Sequence, residues 1–307
     1  MARSVSASSA VLYDLRRLGT EPPRAPFYAV LGHPVAHSKS PAMQQAALDA
    51  LAIDARYVAL DVAPEELAAA LDLLPRLGAR GCNVTVPHKL AAYGWCGEKG
   101  RLDASASAAG AVNTLVWNEG GPVGHSTDGL GWEQAVRETF GLALDGARVL
   151  ILGVGGAGQA VAFHALAAGS RVTVANRSPE KSALLAAAAW DTGKGEIARI
   201  AWEAKAVAEA IAASDLIVNA TSLGLGATAF PFGPEVFAAG KSYYDLVYAD
   251  QPTPFLQAAS TAGGHTADGL SMLLHQGHLA FRLWHPGLAP QDAARALAAM
   301  RHALYPS

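Results

Sequence analysis

One stretch of this 307-residue chain restricts its fold more than any other: VLILGVGGAGQAV, residues 149–161. Gly153, Gly155 and Gly158 stand there at G-x-G-x-x-G spacing, with an apolar run before them and an Ala-rich run after. Glycine supplies 31 of the residues, so the spacing alone says little. A strand ahead of it and a helix behind turn it into the signature of a dinucleotide-binding βαβ unit. The first glycine permits the tight turn, the second lets a pyrophosphate approach the backbone, and the third lets helix and strand pack closely. The helix start then offers free N–H groups and a positive dipole end to phosphate. An ordinary glycine-rich turn is the alternative.

The next strand, RVTVANRS, indicates which dinucleotide would bind. An NAD site commonly ends this strand in Asp or Glu, which bonds the ribose 2′-hydroxyl and repels a 2′-phosphate. Here Asn176 and Arg177 occupy the end, and Lys181 follows one helical turn on. A guanidinium bonds phosphate in a charge-assisted, bidentate way, so NADP is the expected cofactor. A solvated loop charge is the other reading of Arg177.

At this length two domains are expected. From Phe27 onward, β-rich and amphipathic runs alternate, which indicates α/β architecture with a largely parallel sheet. Strands are expected at 27–31, 56–60, 82–86 and 111–117. A second series supplies strands at 148–152, 171–175, 215–219 and 242–246. Two helices broken at Pro286 and Pro290 end the chain. The expected division is a substrate domain of residues 26–127 and 268–307, and a Rossmann NADP domain of residues 128–267. The glycine loop and Lys89 would then face each other across a cleft. Residues 1–25, rich in Ser, Ala and Arg, read as a disordered extension, with a transit peptide as the weaker alternative.

The formal net charge of −3 argues against a nucleic-acid partner. No apolar run reaches the ~18 residues of a membrane span. Two cysteines make no disulfide framework, and no metal-ligand spacing is present, so a cytoplasmic setting without a metal is expected. A monomer or a homodimer fits equally.

Glycine fingerprints occur in unrelated enzymes, so the reaction has to be read from other segments. In YAVLGHPVAHSKSP, Ser38 and Ser40 lie between a strand and a helix that Pro41 can open, a carboxylate seat or a plain helix cap. In GCNVTVPHK, Lys89 follows a buried-looking strand and therefore projects near its carboxyl end, where open α/β sheets bind ligands. GAVNTL offers Asn113, and HSTDGLGW offers Asp128.

Together these segments resemble the shikimate dehydrogenase family. Matching stretches are Ser-Lys-Ser-Pro, Asn-Val-Thr-x-Pro-x-Lys, Ala-Val-Asn-Thr, Thr-Asp-Gly, the glycine loop, Asn-Arg-Ser, Asn-Ala-Thr-Ser and Asp-Gly-Leu-x-Met-Leu, in order from Tyr28 to about Pro286. Ser126 and Ser178 depart from the Asn and Thr that the family often carries. The resemblance implies reversible, NADP-dependent reduction of 3-dehydroshikimate to shikimate on the route to aromatic amino acids. It implies that Ser38, Ser40 and Tyr248 bind the carboxylate, that Thr85, Asn113 and Gln276 bind ring hydroxyls, and that Lys89 and Asp128 form the catalytic pair. Cofactor contacts would come from Gly153, Gly155, Gly156, Ala157, Gly158, Asn176, Arg177, Ser178, Lys181, Thr221 and Gly269. The Thr85 methyl would crowd the extra hydroxyl of quinate. A quinate dehydrogenase of broader scope and a non-catalytic dinucleotide-binding regulator stay as alternatives.

Overall fold

The structure is a computed structural model that describes residues 12–191, 196–221, 223 and 230–306. It divides into two compact units. The first takes in the described residues up to Ala106, with Val112–His125 and the chain from Gly277 onward; the second takes in Ser107–Ala111 and Ser126–Gln276.

In the first unit the chain runs β1 (Leu12–Asp14), α1 (Leu15–Thr20), β2 (Phe27–Gly32), α2 (Ser40–Ala50), β3 (Arg56–Asp61), α3 (Leu67–Leu73), β4 (Ala79–Val84) and α4 (Lys89–Lys99). It continues through β5 (Arg101–Leu102), the start of α5 (Ala104–Ala109), whose later residues count with the second unit, then β6 (Thr114–Asn118) and β7 (Gly121–His125). The strands form one sheet in the order β1-β3-β2-β4-β6-β7-β5. Every residue of β2 is buried, as expected of a central strand covered on both faces. Leu18, Leu67, Leu71 and Ala92 pack with Phe27, Leu31 and Leu60 in the core.

The sheet is largely parallel, as the sequence suggests, with β6 running antiparallel to both β4 and β7. The segment before Phe27 is not a disordered extension over residues 12–20. β1 extends the sheet beside β3, with Leu12, Tyr13 and Asp14 opposite Ala59, Leu60 and Asp61. Leu18 is fully buried, and its burial together with the strand ladder outweighs the entropy of ordering nine residues. Residues 1–11 lie outside the described residues.

The second unit holds α6 (Asp128–Phe140), β8 (Arg148–Leu152), α7 (Gly156–Ala167), β9 (Arg171–Ala175), α8 (Pro179–Asp191), β10 (Ile197–Ile200) and α9 (Ala204–Ala213). It continues with β11 (Leu216–Asn219), β12 (Ser242–Asp245), α10 (Pro254–Thr261), β13 (His265–Ala267) and most of α11 (Leu270–Trp284); α12 (Pro290–Leu304) belongs to the first unit. Its six strands are all parallel, in the order β10-β9-β8-β11-β12-β13. Counted within the unit, that order is 3-2-1-4-5-6, the doubly wound Rossmann arrangement, whose switch point lies between β8 and β11. Trp132, Val136, Val161 and Leu185 form the core on one side of the sheet. Val207, Ile211, Phe255 and Leu256 form it on the other.

This unit runs on to Gln276, whereas the sequence suggests an end at 267. The first turns of α11 are built into it. Met272 sits in its core, the Met272 N–H donates to the Tyr244 hydroxyl at 3.1 Å, and Gly131 has no space for a Cβ against Gln276. No helix among the described residues is long and apolar enough to cross a membrane.

Candidate active site

The glycine loop lies at the carboxyl end of β8, at the switch point. Gly153 has φ +99°, a left-handed conformation that favours glycine, and a Cβ there would meet the Thr221 methyl at 2.8 Å. A Cβ on Gly158 would collide with the Gly153 carbonyl, so α7 could not pack this close to β8. Gly155 is the reverse case: it is exposed, and nothing lies within 4 Å of a Cβ placed on it. Gly155 is also the N-cap of α7 and supplies no side chain to the helix N–H groups. They stay available to an anion beside Gly156 and Ala157. Two tight glycines and one open one are what a pyrophosphate cradle requires, so the residues present fit a dinucleotide.

At the end of β9, the Asn176 carboxamide oxygen accepts the Val154 N–H at 3.2 Å, and its amide donates to the Ser178 carbonyl at 2.9 Å. Asn176 thereby braces the glycine loop against the turn. Arg177 and Lys181 stand exposed beside it, and no acid occupies residues 176–178. The geometry suits a ribose bearing a 2′-phosphate.

In the first unit, the predicted substrate residues gather at the carboxyl ends of β2 and β4. The Ser40 N–H donates to the Ser38 hydroxyl at 3.2 Å where α2 begins; Ser40 is buried and Ser38 half-buried. The loop after β4 is stitched to β2, with the Thr85 N–H on the Leu31 carbonyl at 2.8 Å and the His33 N–H on the Val86 carbonyl at 3.1 Å. Lys89 opens α4, half-buried, and its carbonyl accepts the Val112 N–H at 3.0 Å. Asn113 is 2 % exposed, and its carbonyl accepts the Val84 N–H at 2.8 Å. Because β6 runs antiparallel, its first residues come alongside the end of β4, and this sets Asn113 close to Thr85 and Lys89 in the fold. The Thr85 methyl lies beside Gly32, where a Cβ would come within 2.6 Å of it.

The remaining candidates belong to the second unit. Asp128 is the first residue of α6 and 3 % exposed; the N-cap is Thr127, so Asp128 is not the capping residue. Tyr248 is half-buried in the loop after β12. Gly269 donates its N–H to the Val247 carbonyl at 3.1 Å. The Gln276 amide donates to the Leu273 carbonyl of its own helix at 2.9 Å.

Four residues that the sequence reading passed over organise these sites. His88 is buried, its Nε2 lies 2.8 Å from the Val62 carbonyl, and it anchors the start of α4 directly before Lys89. Burial pushes its pKa below the usual histidine value, partly offset by that hydrogen bond. Asn83, Asn219 and Asp245 are buried polar groups at strand ends. The available signal was a single amide or carboxylate set into an apolar run, as in GCNVTV, LIVNAT and YYDLV, because such a group is seldom buried without partners.

A Rossmann sheet with a glycine cradle at its switch point, joined to a second α/β unit that presents lysine and amide groups at its strand ends, defines a dinucleotide-binding α/β enzyme. The comparisons narrow this. The Shikimate dehydrogenase substrate binding domain family matches residues 30–115, and the Shikimate / quinate 5-dehydrogenase family matches residues 134–225. A curated Shikimate dehydrogenase (NADP(+)) of Citrifermentans bemidjiense is 41% identical over 280 residues, covering 88% of this chain and 93% of that protein. Among solved structures, shikimate dehydrogenase from Aquifex aeolicus superposes with a TM-score of 0.78 at 31% identity, covering 90% of this chain and 97% of the other. Shikimate 5-dehydrogenase from Thermus thermophilus, solved in complex with NADP(H) and shikimate, gives 0.76 at 39% identity, covering 90% and 99%. The chain belongs to the shikimate dehydrogenase family.

Proposed function

We propose that the protein interconverts 3-dehydroshikimate and shikimate with NADP, in the cytoplasm, as a step toward aromatic amino acids. The observation that carries the reading is the assembly of Ser38, Ser40, Thr85, Lys89 and Asn113 around the carboxyl ends of β2 and β4. Such a set offers hydroxyls and helix N–H groups to a carboxylate, an amide to ring hydroxyls, and an ammonium to the reacting oxygen. The division of labour follows the units: a substrate-binding domain formed by the first, and an NADP-binding domain formed by the second.

Bound NADPH would supply the hydride that reduces the ring ketone. The work of the chain is to orient the ring and handle the proton. Lys89 donates a proton to the oxygen as it gains charge, and takes it back in the oxidative direction. Asp128 is the proposed second member of the catalytic pair. Ser38, Ser40 and Tyr248 hold the carboxylate; Thr85, Asn113 and Gln276 hold ring hydroxyls. The glycine loop with Thr221 and Gly269 seats the dinucleotide, and Asn176, Arg177, Ser178 and Lys181 receive its 2′-phosphate. Cys82 and Cys96, both buried free thiols, support the cytoplasmic setting.

The second reading is a dehydrogenase that accepts quinate as well, favoured by the match to the Shikimate / quinate 5-dehydrogenase family. Initial rates of NADP reduction with shikimate and with quinate test both. The expected result is turnover of shikimate at higher kcat/KM than quinate, by no more than about a hundredfold, since a site that merely excludes one hydroxyl discriminates weakly. An equal or higher value for quinate would transfer the assignment to quinate, and absence of turnover with either acid would end it.

A further inference from the structure

Asp245 ends β12 with none of its surface exposed. Its Oδ1 accepts from the Asn219 amide at 3.1 Å and from the Val247 N–H at 3.0 Å, and its Oδ2 accepts from the Thr253 hydroxyl at 2.6 Å. Asn219, the last residue of β11 and equally buried, continues the chain of bonds. Its own Oδ1 accepts from the N–H of Thr221 at 3.2 Å and from its hydroxyl at 2.6 Å. On the other side, the Val247 carbonyl accepts the Gly269 N–H at 3.1 Å, and the residue after Val247 is Tyr248. One carboxylate therefore joins the three backbone segments that bear Thr221, Tyr248 and Gly269.

A buried carboxylate is an expensive way to tie loops together, because desolvation opposes its charge. Burial raises the Asp245 pKa to about 6 in spite of the three hydrogen bonds, and the neighbouring Asp268 adds repulsion. The unit needs what the group accepts rather than its charge. The Val247 N–H and the Asn219 amide both point at Oδ1, and removing that oxygen leaves the Val247 N–H without a partner and the Asn219 amide with only its longer bond to the Leu223 carbonyl at 3.5 Å.

We infer that Asp245 is a positioning residue that sets, through its Oδ1 acceptor, the β11 loop for the cofactor and the β12 loop for the substrate. The inference rests on the proposed function for the roles of Thr221 and Tyr248. Asp245→Asn keeps an amide oxygen for Asn219 and Val247 and removes the charge, whereas Asp245→Ala removes both. Asn219→Ala cuts the link to Thr221 and leaves the Val247 bond.

Steady-state kinetics of the three variants beside the parent chain test this. Asp245→Ala should raise the KM for NADP and for shikimate together, about five- to tenfold each, with kcat within about threefold, since the bonds lost act on binding. Asp245→Asn should return both constants to within about twofold of the parent. Asn219→Ala should raise the KM for NADP alone. A folded Asp245→Ala protein with both constants unchanged, or an Asp245→Asn protein as impaired as the Ala variant, overturns the inference. Should Asp245→Ala not fold, the Asn rescue and the NADP-selective effect of Asn219→Ala still decide. If the parent chain turns over no shikimate, the functional reading fails by itself. Calorimetric titration with NADP then tests the positioning role, which weaker binding by Asn219→Ala supports and unchanged binding refutes.

Discussion

The two units hold their site residues with buried polar networks of different kinds. In the first, the Tyr57 hydroxyl donates to Asn83 Oδ1 at 2.7 Å, and the Asn83 amide donates to the Asn113 carbonyl at 3.2 Å and to the Thr114 hydroxyl at 3.0 Å. Every member is neutral, and burial keeps the Tyr57 phenol protonated by raising its pKa well above the usual value. In the second, the corresponding work falls to the carboxylate of Asp245. A neutral network places its residues at little electrostatic cost and without regard to pH. A charged one accepts more bonds per group, but its desolvation cost depends on pH.

The largest effect that separates the units is catalytic. Lys89 opens α4 in the first unit, with its backbone bonded to Val112 beside Asn113. Lys89→Ala removes the proposed proton-handling group while leaving that network in place. The expected loss is about 10²- to 10⁴-fold in kcat, with the shikimate KM changed far less. Single-turnover measurement with NADP and shikimate checks it, and near-normal turnover would remove Lys89 from the mechanism.

Next comes the stability of the charged unit. The folded-state pKa of Asp245, about 6, lies above the ordinary aspartate value of 3.8, so the folded chain binds this proton more tightly than the unfolded one. The resulting contribution is fully present below about pH 4 and is lost as pH rises through about 6, amounting to about 3 kcal/mol. Asp245→Asn has no such loss. It should be the more stable protein at pH 7.5 by urea denaturation, and the advantage should vanish near pH 4. A variant less stable than the parent at pH 7.5 would show that the charge is needed.

These networks also mark how far the sequence could be read. The glycine loop was legible because its requirements are local: a turn at Gly153, an open backbone at Gly155, a close approach at Gly158. Strands such as Val149–Leu152 and helices such as Gly156–Ala167 announce themselves by apolar runs and periodicity. β1 did not, because Leu-Tyr-Asp is a strand only when β3 is there to pair with it. β7 was hidden for a similar reason, since Gly121, Pro122 and Gly124 have no strand propensity of their own. β10 and β13, short edge strands, also depend on their neighbours. Individual site residues stood in short motifs, whereas the bonds that place them, from Asn83 to Asn113 and from Asp245 to Thr221, join residues tens of positions apart. No local pattern encodes such pairings.

The third test concerns the exposed cations of the second unit. Arg177→Ala should remove charge-assisted bonds to the 2′-phosphate worth about 1.5–3 kcal/mol. That corresponds to a loss of roughly ten- to a hundredfold in NADP affinity, with binding of NAD nearly unchanged. The effect contrasts with that of Lys89, since the loss belongs to binding and leaves kcat at saturating NADP close to normal. Equal losses with both dinucleotides would show that Arg177 does not read the 2′-phosphate.

The smallest effect gives the sharpest contrast, because it has the opposite sign. Asp103 in the first unit is the counterpart of Asp245, but it stands at a helix start with 34% of its side chain exposed. Burial alone would raise its pKa. Hydrogen bonds from His125 and Ser105, each at 2.6 Å, and from the Ala106 N–H at 2.8 Å outweigh this and hold it below the usual carboxylate range. A depressed folded-state pKa contributes stability above the unfolded value and loses it as pH falls through the folded one. Asp103→Asn keeps a good helix cap and removes only the charge. Solvent screening limits the cost to about 1 kcal/mol at pH 7, and the difference from the parent should shrink as the pH approaches 3. The His125 carbonyl accepts the Asn113 N–H at 3.0 Å, so any slackening of this corner should register as a small rise in the shikimate KM at neutral pH. Urea midpoints of Asp103→Asn and Asp245→Asn, measured from pH 3 to 8, should therefore diverge from the parent in opposite directions as pH rises. Two curves moving the same way would mean that the carboxylates differ in burial alone, and that the contrast between the units is not electrostatic.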